Sequence, residues 1–366
     1  MSVPAGGRAP PMRVAVVLVL GMLGVPLLVS AADAPAPGEP VAKQDEAGPI
    51  QVLQMRPDLY MLTIEGVNSA VQVGPEGIVV VDTGPARDAH AVLAQIGKLS
   101  SAPIRYVIDT SADPEFTGGN ALLSDAGESL EVGWAPLLQA ANHIQDIRAL
   151  ASRRAPIVAR LGVIEQMVQQ AQGSQSSQSS TFGDSLPTDT FTRPEFNFRV
   201  NDQAVQVVSM PPAHSSSDTV VLFRRSDVVA TGAIFDDTRF PVIDVAQGGS
   251  INGEIDAVNQ VLNTLVVGAM PVVTNAGGTW IIPERGPVCD QVDLLTYRDM
   301  LFAIRNRVQS LVDQGRSLAQ VQAADPAQGY RTRYGAQSGP WTTRDFVDAV
   351  YRSLEARKHS HAQPKG

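Results

Sequence analysis

The stretch T-S-A-D-P-E-F-T-G-G-N (residues 110–120) follows an apolar run, I-R-Y-V-I-D, and holds a hydroxyl, Ser111, with two carboxylates, Asp113 and Glu115. Further along, P-P-A-H-S-S-S-D (211–218) supplies an imidazole, His214. Two kinds of chemistry use these types. Two carboxylates and one imidazole are a donor set for a single zinc or other divalent ion, which would activate a water for hydrolysis. Ser111, His214 and Asp113 are the residue types of a serine–histidine–carboxylate arrangement, although no G-x-S-x-G signature accompanies them. The plainer alternative is a structural histidine bonded to a neighbour, beside salt-bridged or solvated carboxylates.

The elements that must position these residues are written in alternating patterns. The runs V-L-Q-M, L-Y-M-L-T-I, S-A-V-Q-V and I-V-V-V-D, separated by turns, make residues 51–84 a β-meander. Ala91, Leu93, Ile96 and Leu99 give 87–99 a helical stripe. Residues 104–109 read as a strand, and Thr117 is placed to cap a short helix over 117–126. Residues 135–172 have an amphipathic helical pattern broken at Pro156, and a polar loop follows over 173–188. Strands resume with F-N-F-R-V, A-V-Q-V-V-S-M, T-V-V-L-F and D-V-V-A-T-G; a helix fills 252–267; V-V-T and W-I-I-P are short buried strands. The clearest helix is 291–314, with Asp290 to cap its start and Gly315 to end it. A last helix, 343–356, carries Phe346, Val350 and Leu354 at successive turns.

Two β-rich halves flanked by helices predict an α/β (α+β) chain, an αββα four-layer sandwich with extra C-terminal helices. Several ordered segments make the chain similar to the metallo-β-lactamase-fold hydrolases. G-I-V-V-V-D-T-G (77–84) resembles that family's strand with a buried aspartate, here Asp82. Residues 104–120 stand where the family has T-H-x-H-x-D-H-T-G-G-N; 211–223, 228–235 and 281–288 resemble its P-A-H-T-x-x-D, T-G-D and I-I-P-G-H-G-P segments.

The resemblance implies a cleft in which histidines and aspartates hold one or two zinc ions. Position by position, the first histidine is Ser111 and the second Asp113. The aspartate is Glu115 and the next histidine Phe116. His214 keeps its type, the bridging aspartate is Ala233, and the last histidine is Arg285. These replacements oppose a zinc pair. Alanine removes the bridge, phenylalanine puts a ring where a ligand stood, and a guanidinium stays protonated and has no lone pair to give. The resemblance also places Arg285 within reach of Glu115 or Asp113, so an arginine–carboxylate pair is expected to fill the vacated metal space. Asp82 is expected to orient loops, Gly118 and Gly119 to supply positive φ at a helix entry, Asp218 to anchor a turn, and Cys289 to pack as a small apolar residue.

Bulk properties bound the rest. The chain has 366 residues, enough for a sizeable core. Its net charge of −9 argues against nucleic acid or an anionic membrane surface as partner. One cysteine excludes an intrachain disulfide within it and a cysteine-based zinc cage. Arg8 and Arg13 precede an apolar run and S-A-A-D-A, the pattern of a cleavable signal peptide over 1–31; a Pro/Ala-rich linker follows over 32–49. The segments are then a metallo-β-lactamase-like domain over 50–315, a helical extension over 316–356 and a polar tail over 357–366. The expected protein is periplasmic or secreted, catalytically impaired, and a binder of a small molecule or partner through the old cleft, without a membrane span after signal cleavage. No resident cofactor is expected. The alternative is a hydrolase with zinc or another divalent metal at a rewired mononuclear site of Asp113, Glu115 and His214. A purely partner-binding role through 135–172 and the C-terminal helices is a third option.

Overall fold

The computed structural model describes residues 50–129, 154–172, 182–266 and 278–362, with side chains described through residue 356. The signal and linker segments (1–49), residues 135–153 of the expected helical stretch, the 173–181 loop and V-V-T lie outside the described residues.

A first sheet runs in chain order: β1 (Gln51–Arg56), β2 (Leu59–Ile64), β3 (Val67–Gly74), β4 (Gly77–Val81), β5 (Ile104–Ile108), β6 (Ile157–Arg160) and β7 (Asp189–Phe191). The first four are an antiparallel meander, and β4 to β7 are parallel. A second sheet has the order β12 (Trp280–Ile282), β11 (Val228–Ala230), β10 (Thr219–Phe223), β9 (Gln203–Ser209), β8 (Glu195–Val200). The sheets face each other across an apolar layer in which Met61, Val79 and Ile108 of the first meet Val207, Val221 and Phe223 of the second. Period-2 alternation then sends Leu62, Val71 and Val80 to the opposite face, where α1 (Ala89–Leu99) and α3 (Asn120–Asp125) cover them. The outer face of the second sheet is covered by α6 (Ile251–Gln260), α7 (Gln291–Asp313) and α10 (Thr343–Ala362). These four layers are the expected αββα sandwich. The 316–356 stretch adds α8 (Leu318–Ala323) and α9 (Arg331–Tyr334) before α10, and its Val321, Tyr334, Phe346 and Val350 pack in that last layer.

Several expectations need correction. In the described part of that stretch, 154–172, Ile157–Arg160 is a strand parallel to β5, and α4 (Leu161–Ala171) is helical. A buried strand in a parallel sheet is apolar throughout, and over so few residues that signal is the same as a buried helical turn. The polar stretch to 188 contains a short helix, α5 (Phe182–Ser185). Thr117 caps nothing: it ends the single turn α2 (Pro114–Thr117), and its hydroxyl donates to the Asp113 carbonyl at 3.1 Å. The helix expected over 252–267 closes as α6 at Gln260, followed by one π turn, Val261–Leu265. The last helix continues to Ala362. Among the described residues, no helix is long and apolar enough to cross a membrane.

Candidate functional site

The loops after β4, β5, β9, β11 and β12 gather at one edge of the sandwich. Backbone hydrogen bonds stitch them together: Thr83 donates to Phe116, Thr219 to Thr110, Asn68 to Glu284, and Asp237 to Arg285. Asp82 stands at φ +59, a left-handed conformation costly for a side-chain-bearing residue. Its carboxylate accepts from the Thr110 amide at 2.9 Å and the Thr110 hydroxyl at 2.7 Å. It therefore ties the β4 end to the site loop, as expected. Burial pushes its pKa up to about 7 against those two bonds.

Gly118 and Gly119 serve the loop differently from the expectation. Their φ values are −62° and −88°, within reach of any residue. What excludes a side chain is space: a Cβ at Gly118 would strike the Ala86 amide, and one at Gly119 would lie 2.8 Å from the Thr83 carbonyl oxygen. Asp218 does anchor a turn, accepting from the amide and hydroxyl of Ser215 at 2.7 Å each. Cys289 is buried in the outer apolar layer.

His214 and Asp113 meet. Nε2 of His214 lies 3.1 Å from an Asp113 oxygen, and Nδ1 donates to the Val242 carbonyl at 2.8 Å. Both ring nitrogens thus face acceptors, which suits the doubly protonated ring. Burial pulls the imidazole pKa down; the hydrogen bond and charge of Asp113, the charge of Asp218 and the Val242 carbonyl together hold it well above 6.5. For Asp113 burial pushes up, and His214, joined by the Gln170 amide and the charge of Arg239, outweighs it, leaving the carboxyl below its ordinary 3.8. The pair is an imidazolium–carboxylate ion pair at neutral pH. Ser111 does not join it: its hydroxyl is buried and finds no hydrogen-bond partner among the described residues. The serine–histidine–carboxylate option therefore lacks its first contact, and Nε2, the atom that would take a serine proton, is spent on Asp113.

Glu115 goes elsewhere. Its carboxylate is gripped by Arg285, with Arg239 3.8 Å away. Arg239 also holds Asp236 at 2.8 Å and Glu284 at 2.5 Å, and Arg285 stands 3.3 Å from Glu284. Gly66, at φ +84, makes room for this: a Cβ there would come within 3.3 Å of the Arg285 guanidinium. Two guanidinium groups thus face three carboxylates. Burial is the main reason the innermost acids resist ionisation. Burial and the charge of Asp236 push Glu284 up to about 7 against the pull of Arg239, and burial raises Asp236 likewise. Behind His214, burial, reinforced by the charge of Asp218, raises Glu254 well above 4.5, so this helix residue is a neutral acid in the core.

No family model and no curated protein matches the sequence. Solved structures do. The stereoselective inverting sec-alkylsulfatase Pisa1 from Pseudomonas sp. superposes with a TM-score of 0.59 at 14% identity, over 87% of this chain and 52% of that one. A metallo-beta-lactamase from Pontibacter korlensis gives a TM-score of 0.48 at 16% identity, over 69% of this chain and 99% of its own. DIM-1 metallo-beta-lactamase gives 0.49 at 13%, over 70% and 99%. The chain has the metallo-β-lactamase fold. At these identities the likeness is one of fold, and the chain spans about half the length of the sulfatase.

The metal that a metallo-β-lactamase fold implies does not fit the side chains present. Phe116 and Ala233 pack with Val67 in a small apolar cluster where two ligands would stand. Glu115 is engaged by guanidinium. The remaining donors, His214 and Asp113, are bonded to each other. Among the described residues no group of three His, Cys, Asp or Glu side chains is arranged to hold an ion. Of the three candidates proposed from sequence, Asp113 and His214 come together and Glu115 joins the arginines. Arg285 reaches Glu115 and not Asp113. Sequence reasoning passed over Arg239, Asp236 and Glu284. The signal was present in D-D-T-R (236–239), just after the T-G-A-I-F stretch, and in Glu284 beside Arg285.

Proposed function

We propose that this chain is an exported, non-hydrolytic member of the metallo-β-lactamase fold that binds a small molecule in the cleft its relatives use for catalysis. One observation carries the reading: Arg285, with Arg239 behind it, occupies Glu115 where an ion would need that carboxylate. A permanent cation in that seat leaves too few lone pairs for water activation. Two hollows border the seat. One, of about 480 Å³, lies between the His214–Asp113 pair and the start of α10, with Trp341 on its wall. The other, of about 660 Å³, opens on Arg285. Both volumes fall in the range of small-ligand sites. Export rests on the basic, apolar and small-residue order of residues 1–31.

A resident ion would stabilise the folded state by about 2.7 kcal/mol at a hundredfold excess over its dissociation constant, a thermal shift of several degrees. Protein from zinc-supplemented medium is therefore expected to melt at the same temperature with and without chelator, and to leave lactam, thioester and sulfate ester substrates intact. A chelator-sensitive melt, together with turnover that His214→Ala abolishes, would instead establish the rewired mononuclear hydrolase.

A further inference from the structure

The hollow beside Arg285 joins a cation to an apolar wall. Leu53 of β1 pairs with Met61 of β2, so both face it, and Val52, Thr63 and Val288 complete the lining. Leu53 is 47% exposed and Val52 36%, unusual for aliphatic residues on a strand. Among the described residues β1 is the sheet edge, and no described strand pairs with its outer side.

Arg285 is the one charged residue of the described lining, and its partners, which lie behind it, are unequal. Asp236 and Glu284 are 1% and 4% exposed, locked by Arg239 and unable to leave. Glu115 is 31% exposed, and it sits on a one-turn helix at the rim. Of the three acids it alone can turn out to water without stranding a charge in the core. Adding a second anion beside it would raise the local negative charge, which is unfavourable; exchanging one carboxylate for another leaves the charge unchanged.

We infer that Glu115 is a displaceable internal carboxylate, holding the seat of a ligand with a carboxylate head and an aliphatic body. This rests on the proposed binding role and names the ligand class for it. The head takes the guanidinium of Arg285 that Glu115 vacates, in the same charge-assisted hydrogen-bonding geometry. The body lies along Leu53 and Val288, where it covers the apolar surface that Leu53 now opens to water. Rotation of Glu115 costs a salt bridge that the ligand restores, so affinity is set by the apolar body and by how firmly Glu115 holds on.

Isothermal titration of the full chain with octanoate tests this, with octanol and octylammonium as controls. In the Glu115→Gln variant, where no internal carboxylate competes for Arg285, octanoate is expected to bind about tenfold or more tighter than either control, as loss of one charge-assisted hydrogen bond dictates. Glu115→Gln, which removes the competitor and keeps its shape, is expected to tighten octanoate severalfold. Arg285→Gln is expected to weaken it by about tenfold or more. Equal affinity of the Glu115→Gln variant for octanol and octanoate, or octanoate binding that Glu115→Gln leaves unchanged, overturns the inference even if Arg285→Gln fails to fold. The outcome is separable from that of the binding role: metal-dependent turnover defeats the role, whereas a metal-free protein indifferent to octanoate defeats only the ligand class.

Discussion

Arg239→Met is expected to lose about 3–5 kcal/mol of unfolding free energy at pH 8, the usual cost of stranding buried charge by removing one partner of an ion pair. The residue lies between Asp236 and Glu284, both almost fully buried, and binds each directly. Methionine keeps much of the volume and removes the cation, so the loss is electrostatic rather than a cavity effect. Its pH dependence follows from linkage. Both acids already have pKa values raised by burial, Glu284 to about 7, and without Arg239 they rise further. Acids raised in the folded state contribute most below their unfolded pKa and lose that contribution as pH climbs through the folded value. The variant should therefore recover much of its deficit at pH 5, where both can be protonated. Urea unfolding at pH 5 and pH 8 measures this. A small deficit, equal at both values, would show that the arginine cluster does not neutralise the buried acids.

The second large effect concerns the ion pair at the other side of the seat. Asp113→Asn preserves shape and removes the charge that keeps His214 protonated. Burial then acts on the imidazole unopposed except by Asp218 and Val242, and the ring is expected to titrate well below its value in the unaltered protein. In the unaltered protein the His214 pKa is raised, so its contribution is complete below 6.5 and fades as pH rises through the folded value. The Asp113 pKa is lowered, so its contribution is complete above 3.8 and fades as pH falls. Between those limits the pair is at full strength, and there the substitution is expected to cost about 1–3 kcal/mol, discounted because Asp113 keeps some contact with water. At strongly alkaline pH the two proteins should converge. Ring-proton NMR follows His214 directly; titration at or below 6.5 in the unaltered protein would contradict the pairing.

Both predictions turn on residues of different legibility. The strands were readable because β-branched runs alternate with turns, and because Asp290 caps a long helix whose apolar stripe is plain. Strand β6 was not, since I-V-A between Pro156 and α4 is too short to separate strand from helix. At the site, Arg285 stood out because it replaces a residue type that the resemblance requires, and its tie to Glu115 follows from charge alone. The division of labour could not be read. Asp113 and Glu115 are two residues apart, and only the turn begun at Pro114 sends one to His214 and the other to the arginines. Arg239, Asp236 and Glu284 were hidden for a related reason. A charged segment reads as solvated surface until the fold buries it, and the closing of the β11 and β12 loops against each other does so.

The most direct test of the seat itself is a crystal grown with zinc in excess and measured at the zinc absorption edge. The expected map shows no anomalous peak between His214 and Asp113, with the Arg285 guanidinium lying on Glu115. A full-occupancy peak coordinated by His214, Asp113 and Glu115, with Arg285 swung away, would contradict the account.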